Sequence, residues 1–186
     1  MVIIGAGGWA REVSALTKIY DFYVDDGYEG GKSLSTIPDY CSVIIAIADP
    51  LIRFKMFEKL KHKHIKYLSY IHKTCVIYSD NVVLSDDCFL APYCVLTDNI
   101  KIGKQVQLNI RTFIGHDCVI GDFFTTSPHV VVAGDCIIGD RVHVGSGAVI
   151  REKISVCDDV KIGQGCVVVK DITESGIYVG NPARKI

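Results

Sequence analysis

An aliphatic residue returns every sixth position through residues 78–173. Stepping by six from Leu84 passes Leu90, Leu96, Ile102, Leu108, Ile114 and Ile120, and continues from Val132 through Ile138, Val144, Ile150, Val156 and Ile162 to Val168. Thr126 alone breaks the aliphatic series. Six fits neither the 3.6-residue period of a helix nor the short alternation of a strand closed by a hairpin, so it marks a repeat architecture. Two further features keep the same phase. Gly follows the aliphatic position at Gly103, Gly115, Gly121, Gly139, Gly145 and Gly163, where the pattern places the turn of the backbone. A small or β-branched residue precedes the aliphatic one by two, as in Val106, Thr112, Cys118, Val130, Cys136, Val142, Ala148, Val160 and Cys166. These are the marks of a parallel β-helix in which three hexads make one triangular coil and both repeating positions point inward.

Ahead of the repeat the pattern changes. Residues 1–4 form a short apolar strand that runs into Gly5-Ala6-Gly7-Gly8-Trp9-Ala10, with a helical pattern over 11–20. A strand, a glycine turn and a helix make the opening of a nucleotide-binding unit, where glycine lets the backbone approach a phosphate and the helix amino end favours an anion. A tight turn with no ligand has the same appearance. Residues 21–24 read as the next strand and end in Asp25-Asp26-Gly27. Acidic residues about 20 positions after such a turn can hold a nucleoside, although Asp-Gly is also an ordinary turn. A strand over 43–48, a helix over 50–61 carrying Arg53 and Lys55, and a strand over 65–68 complete four strands and two helices. The predicted organisation is a small Rossmann-like domain for a nucleotide or nucleotide sugar over 1–70, then a parallel β-helix domain over 71–186. The first is too abbreviated for a full dinucleotide, which favours a single nucleotide or nucleotide sugar.

Composition narrows the function classes. Net charge is −1 in 186 residues with no charged run, which argues against nucleic acid or an anionic membrane as partner. No apolar run is long enough to span a bilayer and the amino terminus lacks a signal layout, so a cytoplasmic location is expected. Five of the eight cysteines, Cys88, Cys94, Cys118, Cys136 and Cys166, fall in the inward small-residue phase, which suits packed thiols better than a disulfide framework. No cysteine spacing suggests a zinc site.

Within the coils, His116 stands outside both inward phases, so core packing does not explain it. A neutral imidazole is a suitable general base near neutral pH, and Asp117 beside it can orient the ring. A lone surface histidine is, however, more often inert.

Four stretches together, Ile114-Gly115-His116-Asp117-Cys118-Val119-Ile120-Gly121-Asp122, the Gly5-Ala6-Gly7-Gly8 turn, Asp25-Asp26 and Val179-Gly180-Asn181-Pro182-Ala183, resemble the sialic acid O-acetyltransferase and bacillosamine-pathway N-acetyltransferase family of hexapeptide sugar acyltransferases. The resemblance implies a left-handed coil, a homotrimer and acetyl-CoA as cosubstrate, with no metal. It implies His116 as general base, Asp117 as its acidic neighbour, Asn109 as a residue shaping the site, and the Gly134 N–H as the group polarising the thioester carbonyl. Coenzyme A is expected along later coils near Gly134, Ser146 and Gln164. The acceptor nucleotide is expected at Gly5, Gly7, Gly8, Trp9, Asp25 and Asp26. Trp9 stands where the family often has His, and Thr125 where some members carry a second His. The expected reaction is acetyl transfer to the amine of a nucleotide-linked amino sugar, with O-acetylation of a sialic acid or other sugar hydroxyl as the alternative. Two other classes remain open on sequence. One is a γ-type carbonic anhydrase, although His116, His129 and His143 occupy different places in their hexads; the other is a non-catalytic scaffold.

Overall fold

The computed structural model describes residues 1–25 and 28–186, so Asp26 lies outside the described residues. The chain forms two compact units, Met1–Ser69 and Tyr70–Ile186.

The first unit is a parallel five-stranded sheet made of β1 (Val2–Ile4), β2 (Phe22–Val24), β3 (Lys32–Ser33), β4 (Ser42–Ile45) and β5 (Lys66–Tyr67), in the order β3-β2-β1-β4-β5. Two helices, α1 (Gly8–Thr17) and α2 (Pro50–Leu60), connect strands. Val2, Ile4, Tyr23, Val43, Ile45, Met56 and Leu60 form the core. The sequence reading gave four strands here. It missed β3, whose two residues are Lys and Ser and carry no hydrophobic signal. Helix α1 starts at Gly8, earlier than the expected residue 11, because Gly7 itself is the N-cap. It stops at Thr17, where Lys18 turns left-handed and donates its N–H to the Ser14 carbonyl. Helix α2 has proline in its first turn, and the Asp49 side chain caps it by accepting the Ile52 N–H at 2.9 Å. Arg53 is fully buried, and its Nη1 donates to the carbonyls of Ile47 at 2.6 Å and Ala48 at 3.3 Å. It therefore pins the β4–α2 loop.

The second unit stacks short parallel strands into three faces. The first face is built on strands such as Phe89–Leu90, Gln107–Leu108, Thr125–Thr126 and His143–Val144; the second on Val95–Leu96, Phe113–Ile114, Val131–Val132 and Val149–Ile150; the third on Lys101–Ile102, Val119–Ile120 and Ile137–Ile138. Stacked partners are 18 residues apart, for example Phe113↔Val131 and Val131↔Val149. The aliphatic positions Leu96, Ile114, Val132, Ile150 and Val168 and the small positions Cys118, Val130, Cys136 and Ala148 are fully buried in one continuous core. The inward thiols also find acceptors one coil on: Cys118 Sγ donates to Ala133 O at 3.1 Å and Cys136 Sγ to Arg151 O at 3.2 Å.

The coil begins at Tyr70, ahead of the point near Cys75 that the repeat suggests. Tyr70 pairs with Phe89 and Val76 with Val95, whereas Val83 pairs with Lys101, so the first coil holds one extra residue after Val76 that breaks the six-residue phase. After Val168 the regular stack ends: Gly176–Val179 extends the first face and Arg184–Lys185 folds back antiparallel onto it.

The turns are not at the glycines. Left-handed backbone recurs two residues later at every sixth position, at Asn99, Gln105, Arg111, Asp117, Phe123, His129, Asp135 and Arg141. Each non-glycine there costs about 1–2 kcal/mol. The amides of these turns donate to carbonyls one coil back, as Asp117 N–H does to Asp98 O at 3.0 Å and Asp135 N–H to His116 O at 2.8 Å. The repeating glycines serve close approach between coils. A Cβ on Gly115 would stand 2.6 Å from Gly134 N and 2.8 Å from Ala133 C, and one on Gly121 would stand 2.6 Å from Gly139 C. No larger residue fits between coils at these points.

Candidate active site

The corner that follows the second face carries His116. Gly115 lets the coil above close onto this corner, and the left-handed turn at Asp117 aims its carboxylate back at the neighbouring ring. His116 Nδ1 lies 2.7 Å from Asp117 Oδ2, with side-chain exposures of 60% and 44%. The pair is open to solvent and thus to a substrate. One coil earlier, Asn99 Nδ2 donates to Asp117 Oδ1 at 2.6 Å, so both carboxylate oxygens are engaged. One coil later, Asp135 brings a carboxylate oxygen to within 4.8 Å of donor atoms of His116 and Asp117. Sequence reasoning missed Asn99 and Asp135. The signal that finds them is the coil length, since 99, 117 and 135 differ by 18.

Electrostatics follow from these contacts. The hydrogen bond to Asp117 raises the pKa of His116 above the ordinary imidazole value, and the charges of Asp117, Asp135 and Asp98 add to it. The hydrogen bond from Asn99, followed by that to His116, holds the Asp117 carboxyl below its ordinary range. An ionised Asp117 requires the proton of a neutral ring to sit on Nδ1, which leaves the Nε2 lone pair free to take a proton.

Gly134 faces that nitrogen. A Cβ at position 134 would stand 2.6 Å from His116 Nε2 and 2.7 Å from Cε1, so the imidazole lies directly against the bare Cα. Gly134 is buried, and among the described residues its N–H makes no hydrogen bond. The corresponding amides on another corner are capped: Lys104, Asp122 and Asp140 N–H donate at 2.8 Å each to Oδ1 of Asp122, Asp140 and Asp158.

Asn109 sits on the corner that precedes the second face. Its Oδ1 accepts the Ile110 N–H at 2.7 Å, and its own N–H donates to Thr126 Oγ1 at 2.9 Å. Thr126 in turn pairs with Thr112 inside the core at 2.7 Å, which explains the break in the aliphatic series. Among the described residues Asn109 makes no hydrogen bond to His116 or Asp117. Ser146 and Gln164 follow strands of the first face, one coil apart from each other, with Gly165 N–H donating to Ser146 O at 2.8 Å. A single chain thus brings together His116, Asp117 and Gly134 and places Asn109, Ser146 and Gln164 on a different corner. His129 is exposed in a left-handed turn, and His143 Nε2 lies 3.4 Å from Ser127 Oγ; neither joins His116 in a group of convergent donor atoms among the described residues.

The first unit holds a cleft of about 550 Å³ at the carboxyl end of β1. Gly5, Gly7, Gly8, Trp9 and Asp25 all line it. Gly5 has φ 116°, and a Cβ there would meet Ala46 O at 2.7 Å, so only glycine serves. Helix α1 starts at the cleft with no side-chain cap and no acidic residue in its first turn, an end whose dipole favours an anion. Asp25 is already paired with Lys59, and Lys55 lines the same cleft. Sequence reasoning missed the pairing because nothing local links position 25 to the last turn of α2.

Comparison with known proteins agrees with this architecture. The family described as bacterial transferase hexapeptide (six repeats) matches residues 112–152, the stretch that contains His116, Asp117 and Gly134. That stretch of the chain carries the hexapeptide repeat of this family. It is 30% identical over 149 residues to GDP-perosamine N-acetyltransferase of Escherichia coli O157:H7, a match that spans 68% of this chain and 66%, just under two thirds, of that protein. Among solved structures it is similar to WeeI from Acinetobacter baumannii AYE, with 28% identity, TM-score 0.74 and coverage of 100% of this chain and 98% of the other. PerB from Caulobacter crescentus, solved in complex with CoA and GDP-perosamine, shares the fold with TM-score 0.87 at 24% identity, covering 100% of this chain and 96% of that one. Among the described residues no helix is long and apolar enough to cross a membrane.

Proposed function

We propose that this protein is a hexapeptide-repeat transferase that moves an acetyl group from acetyl-CoA to the amine of a nucleotide-linked amino sugar, with His116 as general base. The observation that carries the reading is the His116 corner: an exposed imidazole with Nδ1 tied to Asp117 and a buried, unengaged Gly134 N–H beside the same ring. The similarity to a GDP-perosamine N-acetyltransferase supports the amine as acceptor.

In this mechanism the amine lone pair attacks the thioester carbonyl carbon while His116 Nε2 takes the amine proton. Gly134 N–H donates to the oxyanion of the tetrahedral intermediate. Collapse breaks the carbon–sulfur bond, and the imidazolium returns its proton to the departing thiolate. Base assistance of this kind contributes about 10²–10⁴-fold and one oxyanion donor about 10²–10³-fold. No acyl-enzyme forms, so no cysteine is needed as nucleophile.

The two units divide the work in this reading. Residues 1–70 act as a Rossmann-like domain that holds the nucleotide at Gly5, Gly7, Gly8, Trp9, Asp25 and Asp26, and residues 71–186 form a left-handed coil that performs the transfer. Assembly is a homotrimer. Support comes from the outward side of the second face, where Val95, Phe113, Val131, Val149 and Val167 make an unbroken apolar stripe that is only half buried. A closed ring formed through that face is heterologous, with each copy meeting the next through a different patch. Such a ring brings the Ser146 and Gln164 corner of one copy to the His116 corner of the next, where both wall the coenzyme A groove. The protein acts in the cytoplasm, on soluble substrates.

The test is release of coenzyme A thiol from acetyl-CoA with GDP- and other nucleotide-linked amino sugars, and with free and nucleotide-linked sialic acids, for the parent and His116→Ala. Turnover with an amino sugar that falls by about 10²–10⁴-fold in the variant is expected. Turnover confined to sialic acids would reassign the reaction to O-acetylation, and no turnover with no coenzyme A binding would remove the enzyme reading.

A further inference from the structure

The hydrogen bonding of the His116 corner extends one coil beyond the pair that a sequence motif can show. Asp117 has two carboxylate oxygens, and each has its own partner: Oδ2 takes His116 Nδ1 at 2.7 Å and Oδ1 takes Asn99 Nδ2 at 2.6 Å. A carboxylate bonded to the imidazole alone can rotate about its Cβ–Cγ bond and leave the ring. One held at both oxygens cannot. The partner is an exposed side chain, but it is short and rises from the preceding coil, so the stacking that fixes the whole prism sets where its amide can reach.

Asn99 is suited to the task by backbone as well as side chain. It occupies the left-handed turn of its coil with φ 50°, a conformation in which asparagine is among the few tolerated residues. Its amide is a donor that stays neutral at every pH, so it can hold Asp117 without competing for the proton that His116 must exchange. His116 is faced by Asp117 on its own corner, Asp98 on the coil before and Asp135 on the coil after, and all three are acidic. Asp98 is itself engaged by Asn81 Nδ2 at 3.3 Å. Asn99 is therefore the neutral contact that decides which way the nearest of these carboxylates points.

We propose that Asn99 is a positioning residue for the transfer reaction, holding the Asp117 carboxylate so that His116 keeps its proton on Nδ1 and presents Nε2 to the acceptor amine. This rests on the reading of His116 as the general base. Asn99 touches neither substrate nor the reacting atoms in this role, so its loss changes the rate and its pH dependence and leaves substrate affinities alone.

Two variants separate the amide from the backbone. Asn99→Gly removes the side chain while suiting the left-handed turn, so the coil stays folded. Asn99→Asp keeps shape and turn but sets an acceptor and a charge against Asp117. The direct measurement is NMR titration of the His116 imidazole with labelled histidine, assigned against His116→Ala, beside pH profiles of kcat and KM with acetyl-CoA and the nucleotide-linked amino sugar. In Asn99→Gly the titration midpoint falls toward that of an ordinary histidine, and kcat drops roughly tenfold with both KM values unchanged, a size usual for groups that orient a working histidine. In Asn99→Asp the midpoint rises, because a further negative charge favours the imidazolium. Superimposable titration curves for Asn99→Gly and the parent, or a midpoint that rises in Asn99→Gly, would overturn the assignment. The titration reads His116 without turnover. A protein that transfers no acetyl group yet shows the two opposite shifts would retain the contact and lose the reaction.

Discussion

Two corners of the same prism share a backbone and differ in what they do with it. At the corner that follows the third face, Gly103, Gly121 and Gly139 are each followed by a residue whose N–H is capped by an aspartate 18 positions on: Asp122, Asp140 and Asp158 accept at 2.8 Å. Arg141 then braces the stacked carboxylates, with Nε and Nη2 on Asp159 at 2.7 and 2.9 Å and Nη2 3.5 Å from Asp158 Oδ2. At the corner that follows the second face the same glycine phase leads into His116 and then Gly134, and among the described residues no aspartate caps the Gly134 amide. The fold supplies a donor at every such position. Where it is satisfied internally the corner is structural, and where it is left open beside a titratable base the corner can stabilise an oxyanion.

The sharpest way to break this contrast is Gly134→Ala. The new Cβ would stand 2.6 Å from His116 Nε2, so the ring must swing away, and the exposed side chain is free to do so without unfolding the coil. We expect kcat to fall about 10²–10³-fold, within the range that base assistance contributes, because the amide N–H remains while the displaced ring loses its placement beside it. Thermal unfolding should stay close to that of the parent. The opposite outcome is expected at Gly121→Ala, where the added atom would stand 2.6 Å from the backbone of the next coil and the damage falls on stability first.

A smaller effect is expected from Asp117→Asn, read as a pH profile. The base must be neutral to accept a proton, so activity falls as pH drops through the His116 pKa. Contact with Asp117 raises that pKa, which places the acid limb of the parent above the ordinary imidazole range. The neutral amide removes both the charge and the strong acceptor. The limb should therefore move to lower pH while the plateau declines on the order of tenfold as the tautomer is released. A limb that stays in place would mean that another group sets it.

How much of this was legible without coordinates depended on whether the signal was periodic. The hexad phase revealed the prism, its inward thiols and the exposed His116-Asp117 pair, because each coil obeys one spacing rule. It misassigned the turn to the glycines, because sequence cannot separate a residue that is small for φ from one that is small for contact. It also missed the start at Tyr70, where one extra residue shifts the phase. Asn99 and Asp135 were hidden for a different reason: their relation to Asp117 is one coil, not one hexad. In the first unit the glycine turn was readable and its residues do line a cleft, but the Asp25–Lys59 pair joins β2 to α2 through tertiary packing alone.

The smallest effect is expected from Asp140→Ala, and it tests the structural half of the contrast. Asp140 Oδ1 accepts the Asp122 N–H at 2.8 Å, and its side chain is 42% exposed, so water can replace the lost acceptor. Removing the carboxylate also relieves its repulsion with Asp122 and Asp158 in the same ladder, which offsets part of the loss. A net cost of about 1 kcal/mol follows, or roughly 2–4 °C in Tm for a chain of this size. The rate should not change, because Asp140 and its ladder lie on a different corner from His116, Asp117 and Gly134. If Asp140→Ala lowered kcat as Gly134→Ala does, with Tm unmoved, the two corners would be coupled, and the difference in amide capping would no longer separate structure from catalysis.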